Sequence, residues 1–302
     1  MNERMKILIA YDGSTCADDA LNDLPRAGLP READALIVNV EEHWLPSPVD
    51  FELIEDTAVP TNSAGAKPAR ADEEPQTKGD DEPLEILERA VPRLISNFPE
   101  WTTETVSLKG SPAREIIRLA KERDIDLIVI GSHGRTESRR FVLGSVAQKI
   151  ANEAVCSVRI VRGQAWKKGS PSRLLIGLDG TKGAQAAVTQ AARRMWIMGS
   201  EVRLVVVRDA SENNSVWLDE CVAEARKTLE RAELAVTELT ETGDPKQIIT
   251  ASAEEWGADC IFLGANGAEN SDQIKLLGSV STAIVTRAHC TVEIVRQKTV
   301  TI

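Results

Sequence analysis

The chain is poor in aromatic side chains, at 4% of 302 residues, and holds three histidines, His43, His133 and His289. So few rings offer no base-stacking platform for single-stranded nucleic acid. No basic stripe compensates. The 36 Lys and Arg residues face 47 Asp and Glu, a formal net charge of −11, the wrong sign for a phosphate-backbone or anionic-membrane binder. Neither nucleic acid nor membrane is therefore an expected partner. Five scattered cysteines (Cys16, Cys156, Cys221, Cys260, Cys290) form no C-x-x-C pair. With so few histidines they give no zinc motif and read as buried reduced thiols. No apolar run approaches the ~20 residues that span a bilayer. Residues 1–12 lack the pattern of a secretory signal, so a cytoplasmic location is expected.

What is present is a repeat. Lys6-Ile-Leu-Ile-Ala-Tyr-Asp12-Gly-Ser14 resembles Arg173-Leu-Leu-Ile-Gly-Leu-Asp179-Gly-Thr181, and Ala35–Val40 matches Val202–Val207 at the same offset of 167. Gly110-Ser-Pro112 matches Gly243-Asp-Pro245, and Asp126–Gly131 matches Asp259–Gly264, both at 133. Gly144-Ser145-Val146 then matches Gly278-Ser279-Val280 at 134. Two copies of one domain are predicted, over 1–162 and 172–302, joined by a linker containing Gly163, Gly169 and Pro171. The fall in offset places extra residues in the first copy. Segment 41–82 fits: it holds twelve Asp or Glu against three Lys or Arg, and five prolines. Such composition cannot offset the entropy of ordering, and 56–82 is expected to be a mobile surface loop.

Apolar β-rich runs are predicted as strands at 6–11, 34–40, 102–108, 126–130 and 157–161, with helices at 16–27, 83–97, 112–123 and 144–153 between them. The second copy repeats this with strands at 173–178, 201–207, 235–240, 259–263 and 291–295 and helices at 182–198, 214–232, 245–256 and 278–288. Alternation of this kind implies an α/β fold: two tandem doubly wound domains, each a five-stranded parallel sheet with helices on both faces. The most apolar strands, the first and fourth, should be central.

The chemistry-bearing segment follows the fourth strand: Gly131-Ser-His-Gly134-Arg135, then nine residues from Gly134 to the Gly144-Ser145-Val146 that opens a helix. Glycines let backbone amides approach a ligand, and a helix N-terminus supplies free N–H groups with partial positive charge. Placed at strand C-termini they make an anion cradle, most naturally for a nucleotide phosphate. Arg135, Arg139 and Arg140 add positive charge. The pattern is neither a Walker loop nor a Rossmann fingerprint.

Together with the strand-end Asp12 and Asp179 and the Gly-Ser/Asp-Pro turns, this loop resembles that of the universal stress protein family in tandem form, with the spacing of its ATP-binding subclass in the first copy. The resemblance implies ATP, or ADP or AMP, with magnesium held through the phosphates rather than by protein side chains. It implies that Asp12 faces the ribose side and that Val40 reads adenine through its backbone. Gly131 and Gly134 would line the ribose and first phosphate, and Gly144, Ser145 and Val146 the outer phosphates. A second ATP site would use Asp179, Val207, Gly264, Gly267, Gly278, Ser279 and Val280. There the loop is one residue longer and carries Glu269 and Asp272, with Lys275 as its one basic residue, so weaker binding or an empty site is expected. The family's usual proline after Cys156 and Cys290 is replaced by Ser157 and Thr291. The implied role is a stress-response module that senses or sequesters nucleotide, built as an intramolecular pseudo-dimer, with a further homodimer left open. A slow ATP hydrolase, a nucleotidyl-transfer enzyme and a scaffold with empty sites are the alternatives. No catalytic residue is assigned: His133 has Asn266 as its counterpart, and Ser145 has no base beside it.

Overall fold

A computed structural model describes residues 4–42, 83–134, 143–163, 167–208, 216–265 and 276–297. Most of segment 41–82, the three arginines after Gly134, and Gly267, Glu269, Asp272 and Lys275 lie outside the described residues.

The first half runs β1 (Met5–Ala10), α1 (Thr15–Asp23), β2 (Ala33–Glu42), α2 (Pro83–Asn97), β3 (Thr102–Gly110), α3 (Pro112–Glu122), β4 (Leu127–Gly131), α4 (Ser145–Glu153) and β5 (Ser157–Val161). The second runs β6 (Arg173–Gly177), α5 (Lys182–Ala192), β7 (Glu201–Arg208), α6 (Val216–Arg231), β8 (Ala235–Thr242), α7 (Pro245–Trp256), β9 (Cys260–Gly264), α8 (Ser279–Arg287) and β10 (Thr291–Val295). Capping explains several helix starts. Ser14 and Thr181 accept from the amides of Ala17 and Ala184, and prolines occupy the first turns of α3 and α7. Within each half the strands pair in parallel, and β1 and β4 lie inside their set, as their apolar sequences require.

One prediction is extended and one needs correction. The two five-stranded parallel sheets are joined edge to edge. Strand order is β3-β2-β1-β4-β5-β10-β9-β6-β7-β8, one ten-stranded sheet, because β5 and β10 pair antiparallel. The absent prolines do not prevent this pairing. The helix predicted over 182–198 stops at Ala192. Beyond it the chain is drawn to the other half: Met195 N donates to Gly28 O at 2.8 Å, and the Arg194 guanidinium donates to Ala27 O at 2.7 Å.

One apolar core runs under both halves on the α3, α4, α7 and α8 side, through Ile116, Ile150, Ile249 and Ile284. The opposite face carries two cores, one per half. The seam itself is charged. Arg159 and Glu293, both wholly enclosed, lie opposite each other in the β5–β10 register and are linked at 3.0 Å. Arg159 also binds Asp23 at 2.6 Å, Glu293 binds Arg194, and Arg26 binds Asp259. Within this cluster three arginines meet three carboxylates, of which Asp259 is only partly buried.

Candidate functional site

Each half builds the same turn at the C-terminal end of its first strand. In the first, Asp12 Oδ1 accepts from Ser14 N at 3.0 Å. In the second, Asp179 Oδ1 accepts from Thr181 N at 3.0 Å and from Thr181 Oγ1 at 2.6 Å. Each half also closes the same hook after its fourth strand. Gly144 N donates to Ser132 O at 2.8 Å, and Gly278 N donates to Ala265 O at 2.9 Å. The hook brings the start of α4 or α8 back to the end of β4 or β9. Gly134 lies beside Asp12, with Asp12 Oδ2 3.1 Å from where a Cβ on Gly134 would stand. Asp12, Gly131, Gly134 and Gly144 are thus gathered at one end of the sheet. Val40 and Val146 pack from β2 and α4 against the same core.

The two site helices differ in their caps from α1, α5 and α7, whose N-caps are side chains that accept from their own first turn. Gly144 and Gly278 are the N-caps of α4 and α8 and have no side chain to do so. First-turn amides, which no helix can satisfy internally, thereby have no side-chain cap, the arrangement that suits an anion, and Ser145 and Ser279 are exposed beside them.

In the second half these elements surround a cavity of about 490 Å³, within the ~300–1,000 Å³ typical of small-molecule sites. Asp179, Thr181, Gly278 and Ser279 supply its polar edge, while Val205, Val207, Ile249 and Leu263 give it apolar walls. Gly264 and Val280 also line it; Gly267 lies outside the described residues. Sequence reading missed Ile249, Leu263 and Leu277. Alternation along β7 and β9 carries the signal, since Val205 with Val207, and Ile261 with Leu263, share a face.

Gly131 and Gly264 have a packing role that the sequence did not reveal. A Cβ on Gly131 would stand 2.6 Å from the Cys16 backbone oxygen, and one on Gly264 would stand 2.4 Å from the Gly183 backbone carbon. These glycines admit the start of α1 or α5 onto the strand end. His133 is buried, with Nδ1 2.9 Å from Ser132 Oγ. The Cys16 thiol is pushed above the ordinary thiol range mainly by burial, against an opposing hydrogen bond from the His133 backbone. Among the described residues, no group of three or more His, Cys, Asp or Glu side chains could hold a metal ion. None of the described helices is long and apolar enough to cross a membrane.

A family model described as the universal stress protein family matches residues 3–162 and again 171–296. The chain belongs to that family. Universal stress protein YxiE of Bacillus subtilis is 31% identical over 157 residues, which are 52% of this chain and 98% of that protein. A universal stress protein from Archaeoglobus fulgidus has a solved structure that aligns with a TM-score of 0.63 at 20% identity, over 97% of this chain and 96% of that one. A functionally unknown protein, PA1789 of Pseudomonas aeruginosa, aligns at 0.62 and 11% identity, over 98% and 93%. At these identities the two structures speak to the universal stress protein fold, here in tandem.

Proposed function

We propose that this universal stress protein binds ATP, with ADP and AMP as competing ligands, in its first half and more weakly at the corresponding site of its second half, and serves as a nucleotide-sensing or sequestering module of a stress response. The observation that carries the reading is the second-half cavity, where apolar walls meet an uncapped helix N-terminus at the C-terminal ends of parallel strands. Adenine would take the apolar part, Asp179 the ribose, and the amides of Ser279 and Val280 the phosphates. Magnesium fits only as an ion carried by the phosphates, since the described side chains provide no cluster for it. The first half has the same hook and aspartate turn, with Asp12, Gly134, Gly144 and Ser145 in the corresponding places. Arg135 would strengthen that site. The paired halves are read as an intramolecular dimer covering 1–162 and 172–302.

Binding without rapid turnover is the favoured form, because the His133 ring is enclosed and its Nδ1 is engaged by Ser132 Oγ. Charge-assisted hydrogen bonds are worth about 1.5–3 kcal/mol each before ordering costs, so three or four with a buried adenine reach about −8 kcal/mol, or micromolar affinity. Equilibrium dialysis of the full chain with ATP and magnesium should show saturable micromolar binding. Gly278→Trp, which fills the second cavity, should remove one class of site. Absence of saturable binding at millimolar ATP would refute the proposal, and turnover well above one per minute would favour the hydrolase.

A further inference from the structure

The helices α4 and α8 end as they begin, on an unusual partner. Neither has a glycine C-cap; Ala154 N and Ala288 N donate to Ile150 O and Ile284 O, which leaves the carbonyls that follow to be satisfied otherwise. Arg162, just past β5 in the first half, donates through Nη2 to Val285 O at 2.8 Å and Thr286 O at 3.1 Å, in the last turn of α8. Arg296, just past β10 in the second half, donates through Nη2 to Ala151 O at 2.6 Å and Asn152 O at 3.3 Å, in the last turn of α4. The exchange is reciprocal across the seam, residue for residue at the repeat offset of 134. Both arginines are buried, at 6% and 7% exposure, and among the described residues neither meets a carboxylate. Nη1 of Arg162, and Nε and Nη1 of Arg296, have no hydrogen-bond partner there. The negative end of a helix is therefore what balances each buried cation.

We propose that Arg162 and Arg296 are crossed positioning residues, each fixing the phosphate-binding helix of the opposite half, so that affinity in one half depends on a residue in the other. This rests on the nucleotide reading above. Each helix is nine residues long, or about 13 Å at 1.5 Å per residue. Its amide end meets the phosphates, while its carbonyl end is held by the other half. Burial lowers the pKa of both guanidinium groups, that of Arg296 to about 10, and a guanidinium, the most basic of side chains, keeps its proton at neutral pH.

Hydrogen exchange on the full chain, read by peptide with and without ATP and magnesium, tests this. Without ATP, Arg296→Met should speed exchange in 148–153 at least tenfold while 282–287 is unchanged, and Arg162→Met should do the reverse. With ATP, Arg296→Met should raise the concentration that half-protects 143–153 at least fivefold and leave that for 276–287 within twofold. Arg296→Lys, which keeps the charge and a donor, should recover most of the loss and serves where the methionine variant does not fold. Faster exchange in the mutated half, or equally in both, overturns the clamp. A crossed exchange pattern with unchanged ATP titrations overturns the coupling alone. Should ATP protect neither segment in the unaltered protein, the nucleotide reading and the coupling fall together, while exchange without ATP still decides what holds each helix.

Discussion

Glu293→Gln is the sharpest probe of how the seam is held. The carboxylate is wholly buried and accepts from Arg159 at 3.0 Å and from Arg194. Glutamine keeps the volume but removes the charge, leaving two guanidinium groups enclosed with Asp23, the Cys260 sulfur and the Ala27 carbonyl as remaining partners. Removing one member of a buried pair costs about 3–5 kcal/mol. Because both arginines keep a second partner, the lower end is expected, about 3 kcal/mol. Urea unfolding followed by circular dichroism measures it. A loss below about 1 kcal/mol, the scale of an exposed pair, would refute the reasoning. The charge swap Arg159→Glu with Glu293→Arg separates an isolated pair from a network. It would set a carboxylate at position 159 against Asp23 and a guanidinium at position 293 against Arg194, so the double variant should be no more stable than Glu293→Gln. Recovery of wild-type stability would show that the pair acts alone.

Gly264→Ala should destabilise by about 1–3 kcal/mol through overpacking, since its Cβ would meet the Gly183 backbone. Gly134→Ala, which among the described residues meets the Asp12 carboxylate alone, should stay within about 0.5 kcal/mol. Equal melting temperatures for the two variants would contradict this. Burial pushes the Cys260 thiol from about 9 up to about 12 and raises that of Cys290 further. The unfolded chain therefore loses these protons first. Stability should be full below pH 9 and fall as pH climbs towards 12, with about 1.4 kcal/mol per pH unit for each such group. Denaturation at about pH 8, 9.5 and 11 checks the sign, and Cys260→Ala should flatten the slope. In native protein near neutral pH, maleimide should label the partly exposed Cys221 well before Cys156, Cys260 and Cys290. Early labelling of the buried three would argue against the seam as described.

Much of the architecture was legible because local signals and global fold agree. Pro83 and Pro112 opened helices where first-turn prolines should, and Leu127–Ile130 read as an interior strand because every residue is apolar, and all four are buried. The joining of the sheets was not legible from propensity. Ser157–Val161 and Thr291–Val295 read simply as strands, and nothing local says what lies beside an edge. The clue was the repeat itself, which sets Arg159 against Glu293 at equivalent positions, each flanked by Val and Ile, in strands that are buried throughout. The early end of α5 was hidden for a similar reason: the helical pattern continues past Ala192, but tertiary hydrogen bonds to Ala27 and Gly28 override it. At the candidate site, the glycines lie where the strand ends meet the helix starts. Their spacing could not tell a phosphate contact from helix packing, and at Gly131 and Gly264 the packing is plain.

The register of β5 on β10 carries one more consequence. Arg159 stands opposite the very residue that occupies its place in the other copy. Two first halves laid together along this edge would press arginine on arginine, and two second halves glutamate on glutamate, in a space closed to water. Only the mixed union is neutral. The twins have ceased to be interchangeable, and each now recognises its sibling in preference to its own likeness.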